Sequence, residues 1–133
     1  MRKQTLIDAA INVRASAYVP YSKFRVGAAL QTKSGKIFTG CNIENAAYPV
    51  SCCAERVAIF KAISEGETEF VEMAVAADTE RPVPPCGSCR QVMSEFFPAD
   101  MEVHLTNLKK ETKSFSMESL LPFSFNTDDL LGK

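Results

Sequence analysis

The sequence contains a single histidine, His104, and this scarcity limits the chemistry that the chain can support. A metal site built from several histidines is excluded, so any zinc site must use mostly sulfur ligands. A Ser-His-Asp hydrolase would need His104 at its centre, yet the residues around it alternate in polarity as in a strand. We therefore expect His104 to be a strand residue whose ring is hydrogen-bonded and binds no metal.

An excess of either charge is also missing, since 15 Lys and Arg are matched by 16 Asp and Glu, and the net charge is -1. A protein that holds long nucleic acid usually shows a basic excess or a basic stripe. We therefore expect no nucleic-acid partner and a small-molecule substrate instead.

Long apolar runs are absent as well. No stretch approaches the roughly 18 apolar residues of a membrane span, and residues 1–10 carry early charges unlike a signal peptide. The five cysteines are odd in number, which does not favour a disulfide framework. These features predict a cytoplasmic protein with reduced thiols, no membrane partner and one domain over residues 1–133.

The hydrophobic pattern predicts an α/β fold. Helices are expected over residues 2–19, 51–63 and 87–97, with a shorter one over 116–121. Strands are expected over residues 25–32, 37–40, 71–77 and 102–107, and a less regular one near 112–115. The helix over 51–63 is apolar nearly all round, which predicts burial on all sides, and the tail beyond residue 122 has no firm pattern.

Thiols lie at the expected starts of two helices. Cys86 and Cys89 are spaced so that both sulfurs of one turn can reach the same ion, and Cys53 can supply a third sulfur. Three protein ligands leave a fourth tetrahedral position open, which is typical of a catalytic zinc. Glu55, two residues after Cys53, is placed to handle the protons of a water in that position.

These motifs resemble a known family. Cys53-x-Glu55 followed by Pro85-Cys86-x-x-Cys89 matches the three-cysteine form of the zinc deaminase signature. Together with the segment over residues 40–46, it is similar to small cytidine deaminases that act on the free nucleoside. The resemblance extends over nearly the whole chain.

The resemblance implies a three-layer α/β/α sandwich with a five-stranded mixed sheet, one Zn²⁺ per chain, and a homotetramer with shared active sites. It implies hydrolytic deamination of cytidine and 2′-deoxycytidine in pyrimidine salvage. Asn42 and Glu44 would bind the ribose, and Phe24 would pack against the pyrimidine ring. Tyr48 and Phe125 match positions that reach a neighbouring subunit's site, and Ala54 completes the implied set of substrate contacts.

A site of three thiolates and one Zn²⁺ carries a net negative charge, which raises the pKa of bound water. Helix N-termini offset part of that charge. We expect Arg56 to offset the rest by donating to a ligand sulfur, with Gln91 as a further donor. A surface salt bridge is an equal alternative for Arg56. Cys41 is expected to be a small buried residue, and Cys52 to project away from the metal.

Three alternatives stay open. The chain could be a deaminase of a free base, a deoxycytidylate or a polynucleotide. It could be a structural zinc module closed by Cys52 or Cys41, which would leave Glu55 without a purpose. It could also be a Cys-x-x-Cys redox protein, in which Cys53-x-Glu55 would have no role.

Overall fold

The computed structural model describes residues 2–132. Its five strands form one mixed sheet in the order β2-β1-β3-β4-β5, in which β3 and β4 are parallel and the other neighbours are antiparallel. The strands are β1 Val26–Thr32, β2 Ile37–Cys41, β3 Phe70–Ala77, β4 Glu102–Thr106 and β5 Thr112–Ser116. The predicted five-stranded mixed sheet is confirmed, and so is the strand near residue 112.

Helices cover both faces of this sheet. They are α1 Arg2–Val13, α2 Ala54–Ser64, α3 Gly87–Phe96, α4 Met117–Leu120 and α5 Thr127–Leu131, with 3₁₀ turns at Arg14–Ser16 and Tyr48–Val50. Because side chains alternate along a strand, β1 and β3 bury one set of residues under α1 and the other under α2 and α3. Ala29 and Ala74 contact α1, whereas Leu30 and Met73 lie in the larger cluster beneath α2 and α3. The three-layer α/β/α arrangement is confirmed.

Two glycines allow helices to approach the sheet closely. A Cβ on Gly27 of β1 would overlap the carbonyl oxygen of Ala10 in α1. A Cβ on Gly40 of β2 would lie 2.5 Å from the carbonyl oxygen of Ala54 and 2.5 Å from the amide of Ala58. Glycine at Gly40 therefore brings the first turn of α2 down onto the sheet, beside the end of β2.

The first helix is shorter than predicted. It ends at Val13 rather than continuing toward Val19, and Ala17 is extended with φ -62° and ψ 137°. The reason is a tertiary pairing: the amide of Tyr18 donates to Asn42, and the amide of Glu44 donates to Tyr18. These bonds place the chain after α1 alongside residues 42–44 and outweigh the helical pattern.

The prediction that α2 is buried on all sides is wrong. Ala54, Ala58 and Ile59 are fully buried, but the side chain of Phe60 is 46% exposed. The helix packs one face against the sheet, and Phe60 lies on the opposite face. The tail also contains α5, which the sequence analysis missed, although Asn126 and Asp129 form a capping box at its start.

Among residues 2–132, no helix is long and apolar enough to cross a membrane.

Candidate active site

Three thiols meet where α2 and α3 begin. Cys53 is the N-cap residue of α2, Cys86 is the N-cap residue of α3, and Cys89 lies in the first turn of α3. Their sulfur atoms are 3.8 Å apart for Cys53 and Cys86 and 3.3 Å apart for Cys86 and Cys89. The prediction that all three thiols lie at helix N-termini is confirmed, although α2 begins at Ala54 rather than near Ser51.

The chemistry of this donor set fits zinc. All three sulfurs lie within 4.8 Å of one another, and among residues 2–132 they form the group of ligand atoms close enough to share one ion. Zinc–sulfur bonds of about 2.3 Å in a tetrahedron place sulfurs about 3.8 Å apart, which matches the distance from Cys53 to Cys86. Three protein ligands leave one tetrahedral position for a non-protein ligand.

Charge around Cys53 favours its thiolate. Hydrogen bonding with Cys89 is the main cause that lowers the pKa of Cys53, to about 5, and Arg56 adds to this effect. The Nη2 atom of Arg56 donates to the sulfur of Cys53 over 3.4 Å. The same pairing with Cys53, together with burial, raises the pKa of Cys89. Because thiolates bind zinc, a proton held between these two sulfurs would be released on metal binding.

Arg56 has one donor left without a partner. Its Nε is buried and has no acceptor to donate to among residues 2–132, while the hydrogen bond to Cys53 raises the pKa of the guanidinium. The guanidinium contacts the thiol group, and no salt bridge to it is found in the described part of the chain.

Glu55 is buried beside the thiols. Its side chain is only 4% exposed, and burial raises the pKa of its carboxyl to about 7, with a further contribution from Cys53. A carboxyl group whose pKa lies near neutrality can both accept and donate a proton at physiological pH. This property suits a general acid–base residue.

Both polar atoms of the Asn42 side-chain amide bond to the backbone of the segment before β1. Its Nδ2 donates to the carbonyl oxygen of Phe24 over 2.7 Å, and its Oδ1 accepts from the amide of Val26 over 2.9 Å. These two bonds define the orientation of the amide. These bonds hold the backbone at Phe24, whose side chain is 42% exposed.

Glu44 is surrounded by donors from the turn before β1. Its Oε1 accepts from the amides of Tyr21 and Ser22 at 3.1 Å each, and its Oε2 accepts from the Ser22 hydroxyl and from Tyr48. Desolvation raises the pKa of this carboxyl, but the hydrogen bonds from Ser22 and its neighbours outweigh it and the net pKa is lowered. Glu44 is therefore anionic at neutral pH. Sequence reasoning missed Ser22, for which no local signal exists.

One cavity of about 270 Å³ joins these groups. Asn42 and Glu44 both line this cavity. The lining also includes six other predicted site residues: Phe24, Tyr48, Cys53, Ala54, Glu55 and Cys86. Val83, Pro84 and Pro85 also line it and were not predicted.

Gln91 and Phe125 do not line this cavity. The Nε2 of Gln91 donates to the carbonyl oxygen of Phe125 over 2.9 Å, so in this structure it contacts the tail and not a ligand sulfur. Phe125 lines a larger cavity of about 650 Å³ between α3 and the tail, together with Phe97 and Phe123. That cavity contains no thiol, so the smaller one carries the chemistry.

The other cysteines and the histidine behave as expected. Cys41 is buried, and Cys52 pairs through its backbone with Ile43 while its sulfur lies outside the metal-ligand group. The ring of His104 is 1% exposed and hydrogen-bonds Ser114 and Glu72.

The family assignment rests on sequence and structure together. Residues 1–105 match the model of the cytidine and deoxycytidylate deaminase zinc-binding region. The chain belongs to this deaminase family. The cytidine deaminase of Halalkalibacterium halodurans is 54% identical over 98% of both chains. A probable cytidine deaminase of Dictyostelium discoideum is 48% identical over 96% of this chain and 86% of its own.

Solved structures give the same result. The crystal structure of cytidine deaminase from Burkholderia pseudomallei superimposes with a TM-score of 0.91 at 48% identity, covering 94% of this chain and 100% of that one. The chain is thus a hydrolytic enzyme of the deaminase family with Zn²⁺ as its cofactor, since the matched region is a zinc-binding one and the three thiols fit that metal.

Proposed function

We propose that this chain catalyses the hydrolytic deamination of cytidine and 2′-deoxycytidine, which yields uridine or 2′-deoxyuridine and ammonia. One observation carries the proposal: the buried carboxyl of Glu55 shares a cavity with Cys53 and Cys86 of the three-thiol group and with Asn42 and Glu44. The carboxyl proposed for acid–base chemistry therefore lies in the same cavity as the side chains proposed for sugar recognition. Relatives named cytidine deaminase at up to 54% identity over the whole chain support the same reaction.

Cys53, Cys86 and Cys89 would hold one zinc ion per chain. When bound, zinc lowers the pKa of a water molecule from 15.7 toward about 7 and so supplies a nucleophile at neutral pH. The N-termini of α2 and α3 place positive dipole ends at these sulfurs, which offsets part of the negative charge of three thiolates.

Glu55 moves the protons of the reaction. Its carboxylate accepts a proton from the attacking water and passes it to N3 of the pyrimidine, while the water oxygen adds to C4. It then transfers the second proton of that oxygen to the exocyclic nitrogen. The C4–N4 bond breaks, ammonia leaves, and C4 becomes the carbonyl carbon of uridine. A pKa near 7 lets Glu55 act in both directions.

Phe24 and Ala54 would bind the base. Phe24 and Ala54 both line the cavity that contains Glu55 and two of the thiols. An aromatic ring packed on the pyrimidine would hold C4 in position and exclude water from it.

Asn42, Glu44 and Tyr48 would recognise the sugar. The amide has one donor hydrogen left on Nδ2 after its bond to Phe24, and the Glu44 carboxylate can still accept from a hydroxyl. A free base leaves these groups unpaired, which costs about 1–3 kcal/mol for each buried polar group. The negative charge of Glu44 would also repel the phosphate of a nucleotide.

Arg56 would adjust the charge of the metal site through its bond to Cys53. Removing a donor from a ligand sulfur increases the negative charge at the metal and weakens water activation. Gln91 would act less directly, since its amide contacts the carbonyl of Phe125.

The chain would assemble as a homotetramer with shared active sites. Exposed aromatic side chains support this assembly: Phe60 is 46% exposed, Tyr48 55% and Phe125 58%. Phe125 lies outside the cavity of its own chain, as expected for a residue that serves a neighbour's site. The reaction would belong to pyrimidine salvage in the cytoplasm, where the five free thiols would stay reduced, and residues 1–133 would act as one domain.

Ultraviolet absorbance of zinc-loaded protein mixed with cytidine, cytosine or CMP tests the reaction. We expect a change with cytidine and 2′-deoxycytidine, matched by stoichiometric ammonia release, and none with cytosine or CMP. Turnover of cytosine or CMP would contradict the sugar roles of Asn42 and Glu44 while keeping the zinc chemistry. No turnover at one zinc per chain would indicate a structural site and contradict the proposal.

A further inference from the structure

The side chain of Arg90 joins two parts of the chain that are distant in sequence. Its Nε donates to the carbonyl oxygen of Pro85 over 2.8 Å, and its Nη1 donates to the carbonyl oxygen of Leu120 over 2.8 Å. Pro85 immediately precedes Cys86, and Leu120 is the last residue of α4. A planar guanidinium holds two acceptors in a defined geometry, so the two carbonyl groups are positioned relative to one another.

Among residues 2–132, the backbone of the segment before Cys86 has few hydrogen-bond partners. Residues 82–86 have no regular secondary structure, and three of them are proline. Pro82 and Pro85 are buried, but proline has no amide hydrogen, so hydrogen bonds to this stretch run mainly to its carbonyl groups. Within residues 2–132, the bond from Arg90 to Pro85 is the hydrogen bond that we find to the backbone of residues 82–85.

The other end of the bridge is well anchored. The amide of Met117 donates to the carbonyl of Met101 over 2.9 Å, and the amide of Glu118 donates to the carbonyl of Ala99 over 2.9 Å. The side chains of Met117 and Leu120 are 2% and 5% exposed, within the main core cluster. The carbonyl of Leu120 is thus a rigid point on the folded domain.

We propose that Arg90 is a positioning residue for the zinc site, which transfers the rigidity of α4 to the turn that carries Cys86. The thiol of Cys86 is exposed, so core packing does not hold it, whereas Cys89 is fully buried. Arg90 is the fourth residue of α3, and its side chain reaches back to the residue before the N-cap Cys86. The inference rests on the proposed assignment of Cys86 as a zinc ligand.

The experiment measures how fast zinc leaves the holoenzyme. Zinc-loaded wild type, Arg90→Met and Arg90→Lys are mixed with excess 4-(2-pyridylazo)resorcinol, and zinc transfer is followed by absorbance. Residues that orient metal ligands typically change metal affinity about 10- to 100-fold, and we expect Arg90→Met to lose zinc faster than wild type by about that factor. Arg90→Lys, which can donate to one carbonyl at a time, is expected to fall between the two.

Two controls separate positioning from general loss of stability. Arg81→Met removes an exposed arginine from the same loop and should leave the transfer rate unchanged. Leu6→Ala destabilises the core on the opposite face of the sheet, under α1, and should lower the Tm without speeding zinc transfer. If Leu6→Ala speeds transfer as much as Arg90→Met at an equal loss of Tm, the proposal is overturned.

A spectroscopic measurement reports the ligand geometry directly. We expect the cobalt-substituted Arg90→Met variant to show altered thiolate-to-cobalt and d–d absorption, with Leu6→Ala retaining the wild-type spectrum. A wild-type spectrum and transfer rate in both Arg90 variants would overturn the proposal. Cys86→Ser tests the underlying assignment separately: one zinc per chain, released at the wild-type rate, would contradict Cys86 as a ligand rather than the role of Arg90.

Discussion

The side-chain nitrogen Nδ2 of Asn42 donates to the carbonyl oxygen of Phe24 over 2.7 Å. A residue proposed to bind the sugar therefore also holds a residue proposed to bind the base. The acceptor on the same amide, Oδ1, is bonded to the amide of Val26 at the start of β1. Sugar recognition and the position of the aromatic ring are thus linked through a single side chain.

This link makes Asn42→Asp an informative change. The variant keeps an acceptor for Val26 but places a carboxylate oxygen against the carbonyl of Phe24. We expect the KM for cytidine to rise about 5- to 150-fold, because an unmatched polar group in such a site costs about 1–3 kcal/mol. Steady-state kinetics provide the measurement. Asn45→Asp is the matched control, since its side-chain oxygen only accepts from Ala47; an equal rise in KM there would contradict the expectation.

The proton-transfer role of Glu55 predicts a large effect on kcat. Replacement by Gln keeps the shape of the side chain but removes the acid–base function. General acid–base catalysis contributes typically 10²–10⁴-fold, and Glu55 acts in more than one step, so kcat should fall by at least about that factor. Zinc content, measured by atomic absorption, should stay at one per chain. Substantial turnover by a zinc-loaded Glu55→Gln variant would contradict the assigned role.

The raised pKa of Glu55 also predicts how stability depends on pH in zinc-free, reduced protein. The folded pKa of about 7 lies above the ordinary 4.5, so the folded state keeps its proton longer than the unfolded chain. The corresponding stability is present below pH 4.5 and is lost as the pH rises to about 7, with a total change of about 3 kcal/mol.

Urea unfolding with a chelator at several pH values measures this change. Glu55→Gln cannot ionise, so its unfolding free energy relative to wild type should rise between pH 4.5 and 7 and then level off. The exposed Glu65, at the end of the same helix, supplies the control variant Glu65→Gln. A constant difference between wild type and Glu55→Gln over this range would show that the folded pKa is ordinary.

The hydrogen bond from Arg56 to Cys53 leads to a prediction about the thiolate content of the site. Hydrogen bonds from Cys89 and Arg56 lower the pKa of Cys53, so replacing Arg56 by Met should raise it and reduce the thiolate present at pH 7. The thiolate absorbance of zinc-free protein near 240 nm, titrated against pH, is the measurement. Arg81→Met removes an exposed arginine from the loop before Cys86 and should leave the titration unchanged. The prediction fails if Arg56→Met and wild type titrate alike.

His104 and Glu72 form a buried pair in the sheet, away from the thiols. Arg2 also bonds to Glu72, with an N–O distance of 2.7 Å. Replacing His104 by Leu leaves the carboxylate without its ring donor, which should cost about 1–3 kcal/mol of unfolding free energy. The double variant His104→Leu with Glu72→Met should recover most of this loss, because an apolar pair needs no donor. Urea unfolding of zinc-loaded protein decides between these results; turnover of cytidine should be unchanged in both variants.

The elements predicted with greatest accuracy are those whose signals are local. The alternation of β4 follows from spacing within a few residues, and the structure confirms this strand. Spacing along one helical turn brings Cys86 near Cys89 and Cys53 near Glu55, whereas the packing of α2 beside α3 brings these two pairs into one site. The capping box of Asn126 and Asp129 was an equally local signal for α5.

The remaining differences arise from contacts between distant segments. The first helix stops early because Tyr18 pairs with residues 42–44, and α2 has an exposed face because the sheet covers only one side of it. Ser22 was missed because its hydroxyl acts on Glu44, 22 residues away in sequence.

The sequence by itself determined the chemistry of this protein: sulfur ligands in place of histidines, a carboxyl beside them, and the fold class that carries both. Only the tertiary structure decided how those groups are buried and which of them are hydrogen-bonded to one another. It buried Glu55 so that the pKa of its carboxyl rises, it placed Asn42 against Phe24, and it joined Arg90 to Leu120. The physical reason is that ligand type and spacing are properties of a few adjacent residues. Desolvation and long-range hydrogen bonds exist only after the sheet has set the register of the whole chain.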